Sequence, residues 1–372
     1  MGPASYDVVI SGAGPAGCAA AITLADYAPD LRICLIDAGH GGARKAGDTV
    51  PPLIAPILRH LGLWPTFLSS GHKPAHRSVS AWGALHIATN EYFFLGSDTA
   101  WQLDRRVFEQ SLTEAAAARL SRFETGVIAG CRQTGGGLTV TLQSGAVLTA
   151  RYAIDATGRA AALSRMMTAS PVIFDRLVGC LAFAPDSQTE RNELLIESFE
   201  AGWWYTACLP RGRRVVACMT DAEQIRPLGL RSAEGFRARL ANTRYVEAVT
   251  NGDGPLDGPH VLAANSRLTE AQPGLPLLPA GDAAFATDPI CGQGIVNALR
   301  GGVYAAYAVA DWLLREDPKG LDRYRAWVHA SFASYQMVLR DFYAVEARWP
   351  DHPFWRRRQT ARLVPAPEGI RQ

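Results

Sequence analysis

The first forty residues carry the clearest periodic pattern of the chain. The consecutive apolar residues 8–10 predict a buried parallel strand, residues 16–27 predict a helix, and a second apolar run at 33–36 predicts another strand. A strand, a helix and a strand in this order form the opening βαβ unit of a parallel sheet that is covered by helices. We therefore expect the N-terminal part of the chain to form a doubly wound α/β domain.

The remaining pattern adds helices and a second kind of sheet. Residues 104–119 predict an amphipathic helix with Asp104 as its N-cap and Arg105 in its first turn. Alternating residues predict a β-meander over 123–153, followed by antiparallel strands at 177–185, 193–199, 202–210 and 213–221. Further helices are predicted at 53–64, 232–240, 245–249 and 294–314, whereas the polar residues 69–80 predict a solvated loop.

These elements predict an α/β fold in which a doubly wound, Rossmann-like nucleotide-binding domain carries an inserted antiparallel β-sheet and C-terminal helices. We expect residues 1–168 to form the first part of the nucleotide-binding domain and residues 169–265 to form the substrate-domain sheet. Residues 266–315 are predicted to return to the first domain, and residues 316–372 to form a C-terminal helical segment.

A glycine motif lies between the first predicted strand and its helix. Gly12, Gly14 and Gly17 have the spacing G-x-G-x-x-G, in which the first glycine makes a tight turn, the second admits a pyrophosphate and the third allows close helix packing. The helix N-terminus attracts the phosphates. Asp37, at the end of the second strand, is placed for a ribose hydroxyl. The sequence therefore predicts that an adenine dinucleotide binds here.

Two later segments are predicted to return to the same nucleotide. Small residues follow a strand at Asp155-Ala156-Thr157-Gly158 and allow a close approach to it. A third strand ends at Asp282, which we expect to bind a ribose or ribityl hydroxyl. The loop and helix start after it supply the predicted contacts Pro289, Gly292, Gln293, Gly294 and Ile295. Arg44 and Lys45, in a Gly-rich and Pro-rich loop, are predicted to reach a phosphate or, in a flavin dinucleotide, the flavin.

Composition narrows the class of protein. The chain has 372 residues, of which 48% are hydrophobic and 19% charged, so it buries an enzyme-sized core. With 37 Lys and Arg against 35 Asp and Glu, and no separate basic block, we expect no nucleic-acid partner. Seven scattered cysteines without a C-x-x-C pair favour a reducing, cytoplasmic location and no metal site. The apolar run near the N-terminus is interrupted by glycines, so we expect neither a signal peptide nor a membrane span.

The densest aromatic cluster of the predicted second sheet is Trp203, Trp204 and Tyr205. Strand alternation places Trp203 and Tyr205 on one face and Trp204 on the other. The face that carries Trp203 and Tyr205 either lines a flat aromatic pocket or forms ordinary sheet core.

In their order along the chain, the segments GAGPAG, Asp37, DRRVFEQSL, DATG and PAGDAAFATDPICGQGI resemble the FAD-dependent aromatic hydroxylase superfamily. Within it, KAGDTVPP, GHKPAHRSVSAWG and GWWYTACLP look most like the tryptophan-halogenase-like branch, and especially the flavoproteins that mature peptide-derived quinone cofactors of amine and amino-acid oxidases. The resemblance implies FAD as the bound cofactor, with Arg105 among its contacts. It also implies NAD(P)H or a separate flavin reductase as the electron source.

The departures from the halogenases disfavour halogenation. Their Trp-x-Trp-x-Ile-Pro motif is replaced here by Trp203-Trp204-Tyr205-Thr206-Ala207-Cys208, and their active-site lysine falls near Lys73, which Pro74 follows. Asp48 stands where the relatives more often have Glu. The catalytic candidates are therefore Lys73, Trp203 and Tyr205, with no general base assigned.

The sequence and the resemblance together predict an FAD-dependent monooxygenase that hydroxylates a Trp-like aromatic ring, in a protein or peptide during quinone cofactor maturation. The alternatives are a flavin-dependent halogenase, a flavin-dependent double-bond reductase and a non-catalytic flavin-binding escort protein. The aromatic, Arg-rich segment around Trp349, Trp355 and residues 356–358 predicts either core packing or a docking surface for the protein substrate.

Overall fold

The computed structural model of the protein describes residues 4–39, 49–91, 99–120, 122–167, 170–186, 193–251 and 253–360. Its strands are β1 (Ala4–Ser11), β2 (Ile33–Asp37), β3 (Thr49–Val50), β4 (Lys73–Ala75), β5 (Arg77–Ala81), β6 (Ala88–Glu91), β7 (Ala100–Gln102), β8 (Arg122–Thr125), β9 (Ile128–Thr134), β10 (Gly137–Leu142), β11 (Val147–Asp155), β12 (Val172–Ile173), β13 (Leu177–Pro185), β14 (Glu193–Phe199), β15 (Gly202–Leu209), β16 (Arg213–Asp221), β17 (Asp257–Ala263), β18 (Arg267–Leu268), β19 (Leu277–Pro279) and β20 (Phe285–Ala286). Its helices are α1 (Pro15–Tyr27), α2 (Ile54–His60), α3 (Trp64–Ser69), α4 (Arg105–Ala117), α5 (Ala162–Met167), α6 (Ala233–Leu240), α7 (Tyr245–Thr250), α8 (Gly294–Arg315), α9 (Lys319–Ala344) and α10 (Pro353–Gln359).

The first large sheet has the strand order β8-β2-β1-β11-β10-β9, with β19 paired to β11. Strands β8, β2, β1, β11 and β19 pair in parallel, whereas β9, β10 and β11 form an antiparallel meander. The meander was predicted to begin at residue 123, and this start is wrong, because residues 122–125 form β8 and pair in parallel with β2. Val8 and Ile10 of β1 pack into one hydrophobic core with α1 and α8, and Val9 packs into a second core on the other face. The sheet is therefore buried on both sides, as predicted for a doubly wound domain.

The second large sheet has the order β17-β13-β16-β15-β14-β5-β6. The four predicted strands of this sheet are present as β13 to β16, with bounds that differ from the prediction by one residue at most. Two of its strands, β5 and β6, come from the chain before residue 168, and β5 pairs in parallel with β14. The division into domains at residues 168 and 265 stays a prediction.

The prediction of a solvated loop at residues 69–80 is wrong. Residues 73–75 form β4, and β5 begins at Arg77, because Ala75 and Val79 bury their side chains while the backbone pairs with neighbouring strands. His72 is also buried, with 7% of its surface exposed, and packs against the rings of Phe67 and Phe108.

Adjacent residues of β15 pack into different cores, one on each face of the second sheet. Trp203 and Tyr205 pack on one face with α9 and α10, and Trp204 packs on the other face against Phe236 of α6. The predicted alternation of these aromatic residues is confirmed. The Trp203 face is covered in part by the C-terminal helices.

The docking alternative for the C-terminal segment fails for two of its anchors. Trp355 is completely buried, and its indole N–H donates to the carbonyl oxygens of Phe199 and Glu200. Arg358 is 7% exposed and forms an ion pair with Asp221 at 2.7 Å. Core packing, the other predicted alternative, is what these residues do. Across the described ranges, no helix is both long and apolar enough to cross a membrane.

Candidate functional site

A cavity of about 870 Å³ lies between the two large sheets. Its lining includes residues of the glycine turn, of the segment after β11, of the loop before α8, and of β13 to β17 in the second sheet. The predicted contacts that line it are Gly12, Gly14, Asp37, Arg105, Asp282, Pro289, Gly292, Gln293, Gly294 and Ile295. The structure therefore brings together segments that are separated by more than 250 residues in the sequence.

The three glycines of the turn differ in the space around them. Gly12 has φ +100°, and a Cβ there would lie 2.4 Å from the carbonyl oxygen of Ala156. A Cβ on Gly17 would lie 1.8 Å from the carbonyl oxygen of Gly12, so Gly17 supports the turn and is not among the lining residues described. A Cβ on Gly14 would meet no atom within 4 Å, because this position faces open space at the start of α1. Helix α1 has no side-chain cap in the described chain, which leaves its first N–H groups for a ligand.

Asp37 lies at the end of β2 and at the edge of the cavity. Its carboxylate accepts hydrogen bonds from the backbone N–H groups of Ala13 at 3.4 Å and Gly39 at 3.2 Å. These bonds link the carboxylate to the glycine turn and fix its position beside the cavity.

The segment after β11 is organised by a buried carboxylate. Asp155 accepts from the N–H and hydroxyl groups of Thr157 and of Ser164, at 2.6 to 3.1 Å. Arg159 follows and lines the cavity, where its Nε lies 3.6 Å from the carboxylate of Asp282. The sequence analysis missed Arg159, although its place directly after the small residues of DATG is a usable signal.

Asp282 lines the cavity and also lies close to other charged side chains of the protein. Its side chain is 38% exposed, and the residue lines the cavity. Desolvation raises the pKa of this carboxyl above its ordinary value, while the charges of Arg159 and Arg267 act in the opposite direction. The guanidinium of Arg267 donates to the backbone oxygens of Gly158 and Asp282, and thereby ties the two segments together.

The loop before α8 is held at Asp288, which is 1% exposed. Its carboxylate accepts from the N–H of Ile290 at 2.9 Å and from the hydroxyl of Tyr343 at 2.8 Å. Burial raises the pKa of Asp288 to about 6, against the opposing charge of Arg358. Gly292 adopts the left-handed conformation at φ +62° and turns the chain into α8. The uncapped start of this helix faces the cavity at Gly294 and Ile295.

Arg105 is positioned by the start of α4. Asp104 accepts from the N–H of Val107 at 3.1 Å, which confirms it as the N-cap. Arg105 forms an ion pair with Glu109 one turn later, and both residues line the cavity.

The second sheet supplies a largely apolar wall of the cavity. Its lining side chains are those of Ser78, Val79, Ser80, Leu181, Leu194, Ile196, Trp203, Tyr205, Met219, Leu262 and Ala263. None of these is charged. The charged lining residues of the described chain, namely Asp37, Arg105, Glu109, Arg159 and Asp282, all come from the segments around the first sheet. Phe342 of α9 completes the wall and was not predicted.

Of the three catalytic candidates, Trp203 and Tyr205 line the cavity, and Lys73 does not lie among its described lining residues. Lys73 is instead part of β4, which pairs with β7 in a small separate sheet. Arg44, Lys45 and Asp48 lie outside the described residues.

Comparisons with known proteins give the chain its relatives. The family described as "FAD binding domain" matches residues 5–335. A protein of Marinomonas mediterranea named "Putative FAD-dependent oxidoreductase LodB" is 29% identical over 370 residues, which cover 95% of this chain and 97% of that protein.

Two solved structures share the fold of this chain. The peptidyl tryptophan dihydroxylase QhpG, described as essential for tryptophylquinone cofactor biogenesis, has a TM-score of 0.77 at 24% identity, with 96% of this chain and 79% of that chain covered. The myxobacterial chondrochloren halogenase CndH has a TM-score of 0.84 at 18% identity, with 96% and 86% covered.

Proposed function

This chain belongs to the FAD binding domain family, and from that premise we propose that it is a monooxygenase that hydroxylates the aromatic ring of a tryptophan residue in a peptide or protein. FAD is its cofactor, and it is an FAD-dependent oxidoreductase, as the motifs predicted. The hydroxylation and the polypeptide substrate are the proposed parts. The observation that carries them is one cavity with a nucleotide end and an apolar aromatic end.

The residues of the nucleotide end fit FAD. The pyrophosphate would lie against the open position at Gly14 and the start of α1, where no side chain fills the space. Asp37 would accept a hydrogen bond from the adenosine ribose, and Asp282 would accept one from the ribityl chain. Arg105 would neutralise phosphate charge. The N–H groups from Gly292 to Ile295 would stabilise negative charge on the flavin ring in front of α8.

The apolar end favours a tryptophan side chain that carries no free amino acid charges. A free amino acid brings an ammonium and a carboxylate into the pocket, and the carboxylate is usually clamped by an arginine. The described lining of the second sheet contains no such group, and burying an unpaired charge there is costly. A residue within a polypeptide presents only its indole. Trp203 and Tyr205, with ring centroids 6.2 Å apart, supply the aromatic contacts.

When bound, FAD supplies the reaction with dioxygen once NAD(P)H or a separate reductase has reduced it. The residues of the chain then have three tasks. Leu194, Ile196 and Met219 exclude water from the flavin ring. Trp203 and Tyr205 orient the substrate, and the loop before α8 holds the cofactor against the substrate.

The proposal is tested by incubating the FAD-loaded protein with a reductant, oxygen and a tryptophan-containing peptide, or with free tryptophan, in the presence and absence of chloride and bromide. A mass gain of one or two oxygen atoms on the peptide, with little turnover of free tryptophan, is the expected result. Halogenated product, or faster turnover of free tryptophan than of every peptide offered, would overturn the proposal.

Two adjacent tryptophans provide a matched pair of variants. Trp203 and Trp204 are each 1% exposed, but only Trp203 lines the cavity. Trp203→Phe is expected to have a higher KM for the peptide and to produce more hydrogen peroxide per molecule of hydroxylated product. Trp204→Phe should keep the wild-type values of both quantities. Equal effects of the two variants would contradict the placement of the substrate on the Trp203 face.

A further inference from the structure

Two hydrogen bonds join the aromatic wall of the cavity to the loop in front of α8. The indole N–H of Trp203 donates to the hydroxyl oxygen of Tyr343 at 2.9 Å, and that hydroxyl donates to the carboxylate of Asp288 at 2.8 Å. Each of the three residues is at most 1% exposed. Trp203 lies on β15 in the second sheet, and Asp288 directly precedes Pro289, which lines the cavity at the predicted flavin end. Through these two hydrogen bonds, Tyr343 of helix α9 connects the aromatic wall of the cavity to the loop in front of α8.

The carboxylate of Asp288 sets the shape of this loop. The second oxygen of this carboxylate accepts from the N–H of Ile290. The backbone N–H of Asp288 donates to the hydroxyl of Tyr335 at 2.8 Å. Tyr335 and Tyr343 are eight residues apart on α9, a spacing that places them on the same side of the helix. Two tyrosines from one helix therefore anchor both the backbone and the side chain of Asp288.

The hydroxyl of Tyr343 is both an acceptor and a donor in this chain of bonds. Removing it would leave the indole N–H of Trp203 and one oxygen of Asp288 without their partners inside the protein, which costs free energy at both ends. The position of the indole and the position of the loop are consequently linked through one oxygen atom.

We propose that Tyr343 is a positioning residue that couples the placement of Trp203 to the loop at residues 288–292, and through this loop to the bound FAD. Contact of a substrate with Trp203 then changes the surroundings of the cofactor at the far side of the bond chain. The inference goes beyond the proposed hydroxylation and does not depend on it, since it can be tested on FAD-loaded protein without any turnover.

The test compares Tyr343→Phe, Trp203→Phe and the double variant by the absorption spectrum and the midpoint potential of bound FAD. Trp203→Phe is expected to shift the flavin bands in the wild-type background and to add no further shift in the Tyr343→Phe background. In Trp203→Phe, the dissociation constant for FAD should rise by about tenfold or less, which is the effect of losing one buried hydrogen bond.

Matched controls separate coupling from general damage to the fold. Tyr324→Phe removes another buried hydroxyl of α9, one that donates to the carbonyl oxygen of Pro279, and Trp204→Phe truncates the neighbouring indole on the opposite face. Both controls should leave the flavin bands unchanged. If Tyr343→Phe does not fold, Asp288→Asn takes its place in the cycle, because a neutral amide weakens the bond from Tyr343. Additive shifts in the double variant, or wild-type spectra and potentials in all variants, would overturn the proposal.

Discussion

The backbone N–H of Asp104 donates a hydrogen bond of 3.2 Å to Nδ1 of His72. This bond supports the residue that caps α4, the helix that brings Arg105 and Glu109 to the cavity. The imidazole can accept it only while Nδ1 carries no proton. Burial lowers the pKa of His72 from its ordinary value of 6.5 to about 4, and the charge of Asp104 opposes this effect only in part. His72 is therefore a neutral, structural histidine.

The first prediction concerns the pH dependence of stability. Between pH 6.5 and pH 4 the unfolded chain binds a proton at His72 that the folded protein does not bind, so the free energy of unfolding should fall as the pH falls through this range. The contribution is on the order of 3 kcal/mol and is fully present above pH 6.5. Urea unfolding at pH 4.5 and pH 7.5 should show a smaller loss in His72→Asn, whose amide oxygen accepts the bond without titrating. His76→Gln, at an exposed position, should behave like the wild type. An unchanged pH dependence in His72→Asn would contradict this account.

The second prediction separates two roles within the glycine motif. Gly14→Val should give a folded protein that does not retain FAD, since the valine side chain would fill open space where the pyrophosphate is expected. Gly17→Ala should instead lower the melting temperature, because its Cβ would collide with the carbonyl oxygen of Gly12. Flavin content and thermal unfolding of the cofactor-free proteins distinguish the two results. Normal FAD retention by Gly14→Val would refute the assigned binding mode.

The elements whose pattern repeats locally were predictable from the sequence. The βαβ unit, the capped helix α4 and the strands β13 to β16 each show their periodicity over a few consecutive residues, and their bounds match closely. Short elements were not predictable in this way. Strand β5 has only two apolar residues, Val79 and Ala81, and it becomes a strand because it pairs with β14, which lies more than 110 residues later.

The site was predictable where glycines and carboxylates follow strands, since strand ends converge on one edge of the sheet. The contacts that depend on distant parts of the chain were missed. Tyr343 and Asp288 are 55 residues apart, and the burial of Trp355 depends on carbonyl groups more than 150 residues earlier. A run of three arginines after an aromatic pair looks like a surface motif, but Asp221 draws Arg358 into the interior.

The third prediction follows from that burial. Trp355→Ala should lower the free energy of unfolding by about 3–5 kcal/mol, because it removes a fully buried indole and leaves a cavity beside Tyr343. The exposed neighbour provides the control, since Arg356→Ala should change stability by about 0.5 kcal/mol or less. Chemical denaturation of both variants gives the comparison. If Trp355→Ala kept wild-type stability and lost only the turnover of a protein substrate, the docking alternative would return.

The last prediction tests whether Asp37 recognises the adenosine half of FAD. The carboxylate is fixed by the N–H groups of Ala13 and Gly39 at the end of β2. Asp37→Ala should therefore raise the dissociation constant for FAD by about tenfold or more, through the loss of a charge-assisted bond to the ribose, while leaving the affinity for FMN unchanged because FMN has no adenosine. Titration of cofactor-free protein with each flavin, followed by fluorescence, measures both constants. Asp7→Ala is the control, since Asp7 pairs with Arg32 and Arg151 at the start of the same sheet and does not line the cavity. Equal weakening of FAD and FMN binding in Asp37→Ala would show that this carboxylate acts through the fold of the turn and not through the ribose.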